Sequence, residues 1–342
     1  MKVANYYNNN DIRIEERPTP KIGAGELLIR IHRAGICGTD VMEWYRIGST
    51  PRVIGHEVAG EIVEVGPGVV QYKKGDRVAA SHHVPCYNCH YCKLGHQTLC
   101  DTIRQTNFDP GGFAELVRLP AINVRVGVYH LPDTLSYEEA TLIEPLACTV
   151  RAQRKAQLKP EQTVLVLGTG PAGLLHLHLA KRSGAKRVIG VDVVAARLEV
   201  AKQFGADTVL ATNDDLARRV CDVNEGRLAD LVIVCSHSEK ATRQALQLVE
   251  RGGTVLFFAP VSPDQVIPMS MNEIFWQKGA TLISSYAASP EDHHESLKLM
   301  SEKKVDLKRM ITDRLPLAEI ARGFQLVAKP SDSIKVIIEL TK

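Results

Sequence analysis

The sequence predicts an α/β chain built from a β-rich, barrel-type part and a doubly wound parallel sheet. Two changes of texture carry that expectation. Residues 1–148 hold short alternating runs broken by Gly, Pro, Asn and Asp, among them Glu26–His32, Val58–Val65 and Gly112–Leu119, the pattern of half-buried strands. From Leu158 onward, strands alternate with helices, which implies a parallel sheet covered by helices. Val164–Leu167 reads as a strand running into a glycine turn, with a helix to Ser183. Strand Arg187–Val191, helix Ala195–Phe204, strand Leu231–Cys235, helix Ala241–Val249 and strand Thr254–Ala259 follow. The tail reads as a helix, Pro290–Lys303, and a closing strand, Ile334–Leu340. The expected division is 1–148 with 286–342 as one domain and 149–285 as the other. A length of 342 residues fits two domains, at roughly 150 residues each.

Composition excludes more than it selects. The chain is 44% hydrophobic and 24% charged, enough apolar material for two packed cores. Forty-two basic residues against 39 acidic ones give a net charge of +3, no electrostatic case for nucleic acid or an anionic membrane as partner. The apolar stretch at Val164–Leu179 is broken by glycines and two histidines, so no bilayer span is expected. The first residues lack a charged-then-apolar leader pattern, so the expected location is cytoplasmic.

Four of the eight cysteines fall in one run, Cys86, Cys89, Cys92 and Cys100. Thiols three residues apart are poorly spaced for pairing with one another but suited to wrapping one ion. The polar and glycine residues between them suit a loop, so the reading is a structural zinc lobe at about 86–100. An iron–sulfur cluster is the rival that also takes four cysteines. Cys148, Cys221 and Cys235 read as small core residues. Cys37 stands apart.

Gly168, Gly170 and Gly173 form a G-x-G-x-x-G run with Pro171 and Ala172 inside it. The run follows a strand and opens a helix, and Asp192 lies 24 residues after Gly168 at the end of the next strand, the context of a dinucleotide site. Gly168 serves the tight turn, Gly170 the backbone's approach to a pyrophosphate, and Gly173 helix–strand packing. The helix N-terminus favours the phosphates. Asp192 would accept from the adenosine ribose hydroxyls and repel a 2′-phosphate, which favours NAD over NADP; Arg197 is the residue that would greet such a phosphate. A plain helix N-cap is the other reading of Asp192.

Three more segments carry ligand-type residues beside glycine: Gly35-Ile36-Cys37-Gly38-Thr39-Asp40, Gly55-His56-Glu57 and Ile143-Glu144-Pro145. Together with Gly75–Val78, the four-cysteine lobe, Gly111–Glu115, Glu144–Ala147 and the nucleotide run, they make the chain resemble the zinc-dependent medium-chain dehydrogenases over nearly its whole length. Within these it is similar to the sorbitol and threonine dehydrogenase branch. The resemblance implies a GroES-like catalytic domain, a Rossmann coenzyme domain, two zinc ions per chain and NAD(H). By it, Cys37 and His56 ligate a catalytic zinc, with Glu57 or Glu144 as the third ligand. Thr39 takes the substrate proton toward the nicotinamide ribose. Many relatives carry a His five residues after the Cys to finish that path; Met42 stands here, with Glu43 beside it.

The resemblance also points to His83, and less to His82, at the substrate pocket, and Lys335 matches a basic position that contacts pyrophosphate. Trp44 and Tyr45 read as pocket wall or core. His176 and His178 read as structural, and His293 and His294 as a solvated helix face. The expected reaction is oxidation of a secondary alcohol, a polyol, cyclitol or 3-hydroxy amino acid. A phosphorylated polyol would need a basic cluster, for which Arg46 and Arg52 are the candidates; an acyl-CoA substrate is a further alternative. The competing reading is a non-catalytic member that binds dinucleotide and uses zinc only structurally. Relatives form dimers or tetramers through a sheet edge, for which Thr254–Ala259 and Ile274–Ile283 are the candidate segments.

Overall fold

The computed structural model describes residues 1–329 and 332–341. It divides into two compact units, Met1–Ala147 with Ala288–Lys342, and Cys148–Ala287.

The first unit is built on a seven-stranded sheet. Its order is Ile311–Pro316, Lys335–Glu339, Leu27–Gly35, Glu57–Val65, Arg77–Ala80 and Val128–His130, with Leu116–Leu119 also paired to Leu27–Gly35. The pairings are antiparallel except that between Ile311–Pro316 and Lys335–Glu339. Alternation along Leu27–Gly35 places Leu27, Ile29 and Ile31 in a core shared with Val58, Ile62, Phe113, Phe324 and Ile338. The C-terminal strand lies directly against Leu27–Gly35, with Ile337 opposite Gly35. That register brings a residue near the chain's end to the mouth of the strand leading to Cys37. A three-stranded sheet of Lys2–Asn8, Asp11–Glu16 and Arg52–Val53 completes the unit's strands.

In the second unit six parallel strands lie in the order Thr208–Ala211, Arg187–Asp192, Thr163–Leu167, Ala229–Val234, Val249–Phe257 and Thr281–Ser284. In chain order this is 3-2-1-4-5-6, the doubly wound arrangement whose ligand crevice lies at the carboxyl ends of the first and fourth strands. Thr163–Leu167 is buried at every position, as a strand covered on both faces must be. The sequence reading missed Thr208–Ala211 and Thr281–Ser284, short runs whose apolar signal is diluted by Thr and Ser. It also placed Thr254–Ala259 as a candidate free edge. That segment belongs to an interior strand bonded on both sides and has no edge to offer. The edges are Thr281–Ser284 and Thr208–Ala211.

Several helices start where the sequence supplies a start. Ser289 and Asp292 form a reciprocal capping box at the head of Pro290–Ser301. Pro171 occupies the first turn of Pro171–Arg182, where its missing N–H costs nothing. No helix among the described residues is long and apolar enough to cross a membrane.

Candidate functional site

Cys37, His56 and Glu57 reach one place because Leu27–Gly35 and Glu57–Val65 are antiparallel neighbours with Gly35 opposite Glu57. The first strand delivers Cys37 as it ends, and the second receives His56 and Glu57 as it begins. One ligand-type atom from each of the three lies within 4.8 Å of the others. His56 and Glu57 are buried and Cys37 is half-buried. Gly35 makes the space: a β-carbon there would collide with Glu57 Oε2.

The surroundings fix these groups. Asp40, fully buried, accepts from the Cys37 N–H at 3.1 Å and from Arg46 at 3.1 Å, and faces His56 Nδ1 at 3.5 Å. Burial opposes charge on both partners. Their attraction outweighs it, holding the His56 ring well above its ordinary pKa with help from Cys37, and Asp40 below its own. With Nδ1 turned to Asp40, Nε2 is left for an ion, the usual arrangement of a ligating histidine backed by a carboxylate. Asp40 is the functional residue that sequence reasoning passed over, although it closes the Cys37–Asp40 motif.

Lys335 is the second anchor. Its Nζ donates to Glu57 Oε2 and to the Ile36 carbonyl at 3.1 Å, with both charged side chains almost wholly buried. Burial would discharge the lysine, but Glu57, Cys37 and Glu144 together raise its pKa. Where the resemblance implies a pyrophosphate contact for Lys335, the ammonium in this structure is turned to Glu57. It sits inside the first unit as the counter-charge of Glu57.

Glu57 Oε1 is buried without a hydrogen-bond partner, a deficit of about 1–3 kcal/mol. A cation among Cys37, His56 and Glu57 would remove that deficit. One sulfur, one imidazole nitrogen and one carboxylate oxygen are a donor set that suits zinc. Glu144 is outside this group. It lies in the first turn of Ile143–Lys155, within electrostatic reach of Lys335.

Thr39 Oγ1 donates to Cys37 Sγ at 3.3 Å and accepts from Arg46 at 3.2 Å. Met42 is buried, and Glu43 accepts from the Asn9 N–H at 3.3 Å. The His56, His82 and His83 rings run in a row, with centroids 4.8 and 3.7 Å apart. Trp44 and Tyr45 are exposed, so the core reading of this pair is withdrawn. His293 is a further correction: it is buried and stacked on Tyr129 rather than solvated, while His294 is exposed. Their helix turns only one of two adjacent residues toward the core. His176 is fully buried beside Gln153. Cys148, Cys221 and Cys235 are half-buried rather than fully inside.

One-turn helices at His90–Lys93 and Gln97–Leu99 fold the cysteine run back on itself. The four sulfurs of Cys86, Cys89, Cys92 and Cys100 lie within 4.8 Å of one another, with the Cys86–Cys100 pair at 3.5 Å. Tetrahedral zinc with Zn–S bonds of about 2.3 Å needs edges of roughly 3.8 Å, so the lobe fits one ion. Burial alone would raise the Cys100 thiol, but hydrogen bonds from Cys86 and Thr102 outweigh it and bring the pKa down to about 6.

In the second unit the glycine run has the geometry its motif requires. Gly168 has φ of 93°, a conformation costly to any residue with a β-carbon. A β-carbon on Gly173 would strike the Gly168 carbonyl oxygen. Helix Pro171–Arg182 begins without a side-chain cap, which leaves its first N–H groups for an anion. Asp192 accepts from Thr169 N at 2.7 Å, Thr169 Oγ1 at 3.1 Å and Val194 N at 2.9 Å. A carboxylate has about four lone-pair positions, so capacity remains for a ribose hydroxyl. The Arg197 guanidinium lies over Gly170.

Comparison with known proteins agrees with this geometry. Residues 23–133 match the model of the alcohol dehydrogenase GroES-like domain, and residues 171–302 that of the zinc-binding dehydrogenases. The chain is 32% identical to sorbitol dehydrogenase of Bacillus subtilis (strain 168), over 99% of this chain and 97% of that one. It is 34% identical to L-galactonate-5-dehydrogenase of Escherichia coli (strain K12), over 91% and 90% respectively. Among solved structures, an alcohol dehydrogenase from E. coli CFT073 complexed with NADH superposes with a TM-score of 0.89 at 27% identity, covering 99% of both chains.

Proposed function

The chain belongs to the zinc-dependent medium-chain dehydrogenases, in their sorbitol dehydrogenase-like branch, and on that premise we propose that it oxidises secondary alcohols of the polyol class with NAD. The observation that carries the proposal is the Cys37–His56–Glu57 group with its unpartnered Glu57 oxygen. Cys37, His56 and Glu57 hold the catalytic zinc, with Glu144 close by, and Cys86, Cys89, Cys92 and Cys100 hold the structural one. When bound, the catalytic zinc polarises the substrate oxygen and NAD accepts the hydride.

The protein's own groups do the rest. One thiolate and one carboxylate offset the ion's charge, so the site can let the product go. Thr39 Oγ1 relays the substrate's proton, accepting it as its own hydroxyl proton passes on toward the nicotinamide ribose, and it is positioned by Cys37 and Arg46. Met42 cannot pass that proton on, and the Glu43 carboxylate is turned to the Asn9 N–H, which leaves water to complete the exit. In the coenzyme unit the backbone of Gly168, Gly170, Pro171, Ala172 and Gly173 receives the pyrophosphate. Asp192 receives the adenosine ribose, and Arg197 lies beside the phosphates.

The protein works in the cytoplasm, where a thiol cluster persists reduced. It functions as a homodimer or homotetramer, a reading supported by exposed Met271, Phe275 and Trp276 preceding the edge strand Thr281–Ser284. The non-catalytic alternative assigns no purpose to the Cys37 group. The test pairs a metal count with an NADH-fluorescence screen of secondary alcohols on zinc-replete protein. Two zinc ions per chain and NADH formation are expected; one zinc ion and no turnover would refute the proposal.

A further inference from the structure

We propose that the polyol oxidised by this chain carries an anionic group, a carboxylate or a phosphate, held by Arg52 with Arg46 in the cleft beside His56. The inference rests on the dehydrogenase reading and narrows its substrate class. The cleft opens to solvent and is lined by Arg46, Arg52, His56, His82, His83 and Asn107, among others. His56 belongs both to this cleft and to the metal-binding group, so a molecule seated here reaches the site where its hydroxyl would react.

One cation lining the cleft has no carboxylate in contact with it among the described residues. Arg46 is matched by Asp40, at 3.1 Å. Lys335 is matched by Glu57. The His82 and His83 rings continue the row that starts at His56. Arg52 is left over. Its guanidinium donates to Ser49 Oγ at 3.2 Å, and among the described residues no carboxylate forms an ion pair with it. Burial and the neighbouring Arg46 both work against its charge. A half-buried cation whose nearest carboxylate, Asp40, acts on it only at a distance is costly, and a planar guanidinium pairs well with a carboxylate or phosphate.

The other side chains suit the rest of a sugar acid or sugar phosphate. His83 Nδ1 lies 2.9 Å from the Thr106 carbonyl, which makes Nδ1 the donor and leaves Nε2 to accept from a hydroxyl. The Asn107 amide offers both a donor and an acceptor. A neutral polyol would satisfy these groups but leave Arg52 unmatched.

The test compares kcat/KM on zinc-loaded enzyme for three panels of matched chain length and stereochemistry: neutral polyols such as sorbitol, aldonates such as gluconate, and polyol phosphates such as sorbitol 6-phosphate. The best anionic substrate should exceed its neutral counterpart by about 10–100-fold, mainly through KM. The aldonate and phosphate panels identify which anion is used. R52Q should cut the anionic-over-neutral preference by a similar factor, while R52K retains most of it. Preference for neutral polyols, or an unchanged preference in R52Q, overturns the inference and leaves the dehydrogenase reading standing. No turnover in any panel refutes that reading and this inference with it.

Discussion

Replacing Lys335 with Met would strand the Glu57 carboxylate in the interior. The lysine and the glutamate side chains are 4% and 1% exposed, so no water can substitute for the lost ammonium. Removing one member of such a pair costs about 3–5 kcal/mol, because the remaining charge is left uncompensated. For a chain of this size that corresponds to a fall of roughly 10 °C in melting temperature. The penalty belongs to the metal-free protein. With zinc in the Cys37–His56–Glu57 group, the ion supplies the counter-charge and the loss shrinks. Thermal melts of parent, K335M, E57Q and the double variant, each with and without zinc, read this directly. The double variant should cost less than the sum of the singles by on the order of 2 kcal/mol in the metal-free series. A metal-free K335M melting within about 2 °C of the parent, or strict additivity in the double variant, would refute the reasoning.

Three further outcomes follow from the same structure. T39A should lose about 10²–10⁴-fold in turnover, the usual range for a proton-transfer group; an active enzyme with an unaltered pH profile would contradict the relay. D192S should relax the preference for NAD over NADP, read from kcat/KM with each coenzyme, and unchanged selectivity would remove Asp192 from the coenzyme site. His176, fully buried, has its pKa lowered by burial to about 3. The unfolded chain therefore takes up a proton below about 6.5 that the native chain refuses, so the stability present above that pH is lost as pH falls toward 3. Urea titrations should show the parent losing about 2 kcal/mol more than H176L between pH 7 and pH 5, and equal slopes would dismiss the effect.

The glycine-rich turn was legible because its requirements are local. A positive φ at Gly168 and contact between Gly173 and the Gly168 carbonyl are consequences of strand, turn and helix within a dozen residues. The cysteine lobe was legible for the same reason. Thr208–Ala211 was not: a strand of four residues at a sheet edge carries too few apolar positions to signal itself. Nor were the burial of His293 and the exposure of His294. Two adjacent histidines on a helix are told apart only by how the helix packs; here both rings meet Tyr129, but only His293 is buried.

By itself, the sequence determined most of the elements and the ligand types, since hydrophobic period, glycine position and thiol spacing are properties of short segments. Only the tertiary structure shows that Glu57 lies with Cys37 and His56, their ligand-type atoms within 4.8 Å of one another. Glu57 does so because Gly35 opposite it leaves room for the carboxylate, and Glu144 lies outside the group. Only the tertiary structure, too, turned Lys335 inward to Glu57 and left Arg52, among the described residues, without a carboxylate in ion-pair contact. The first pairs residues 278 apart in the chain, Lys335 with Glu57, and the second turns on Asp40 facing Arg46 and not Arg52. Charge balance is settled by distance in space, which spacing along a chain does not encode.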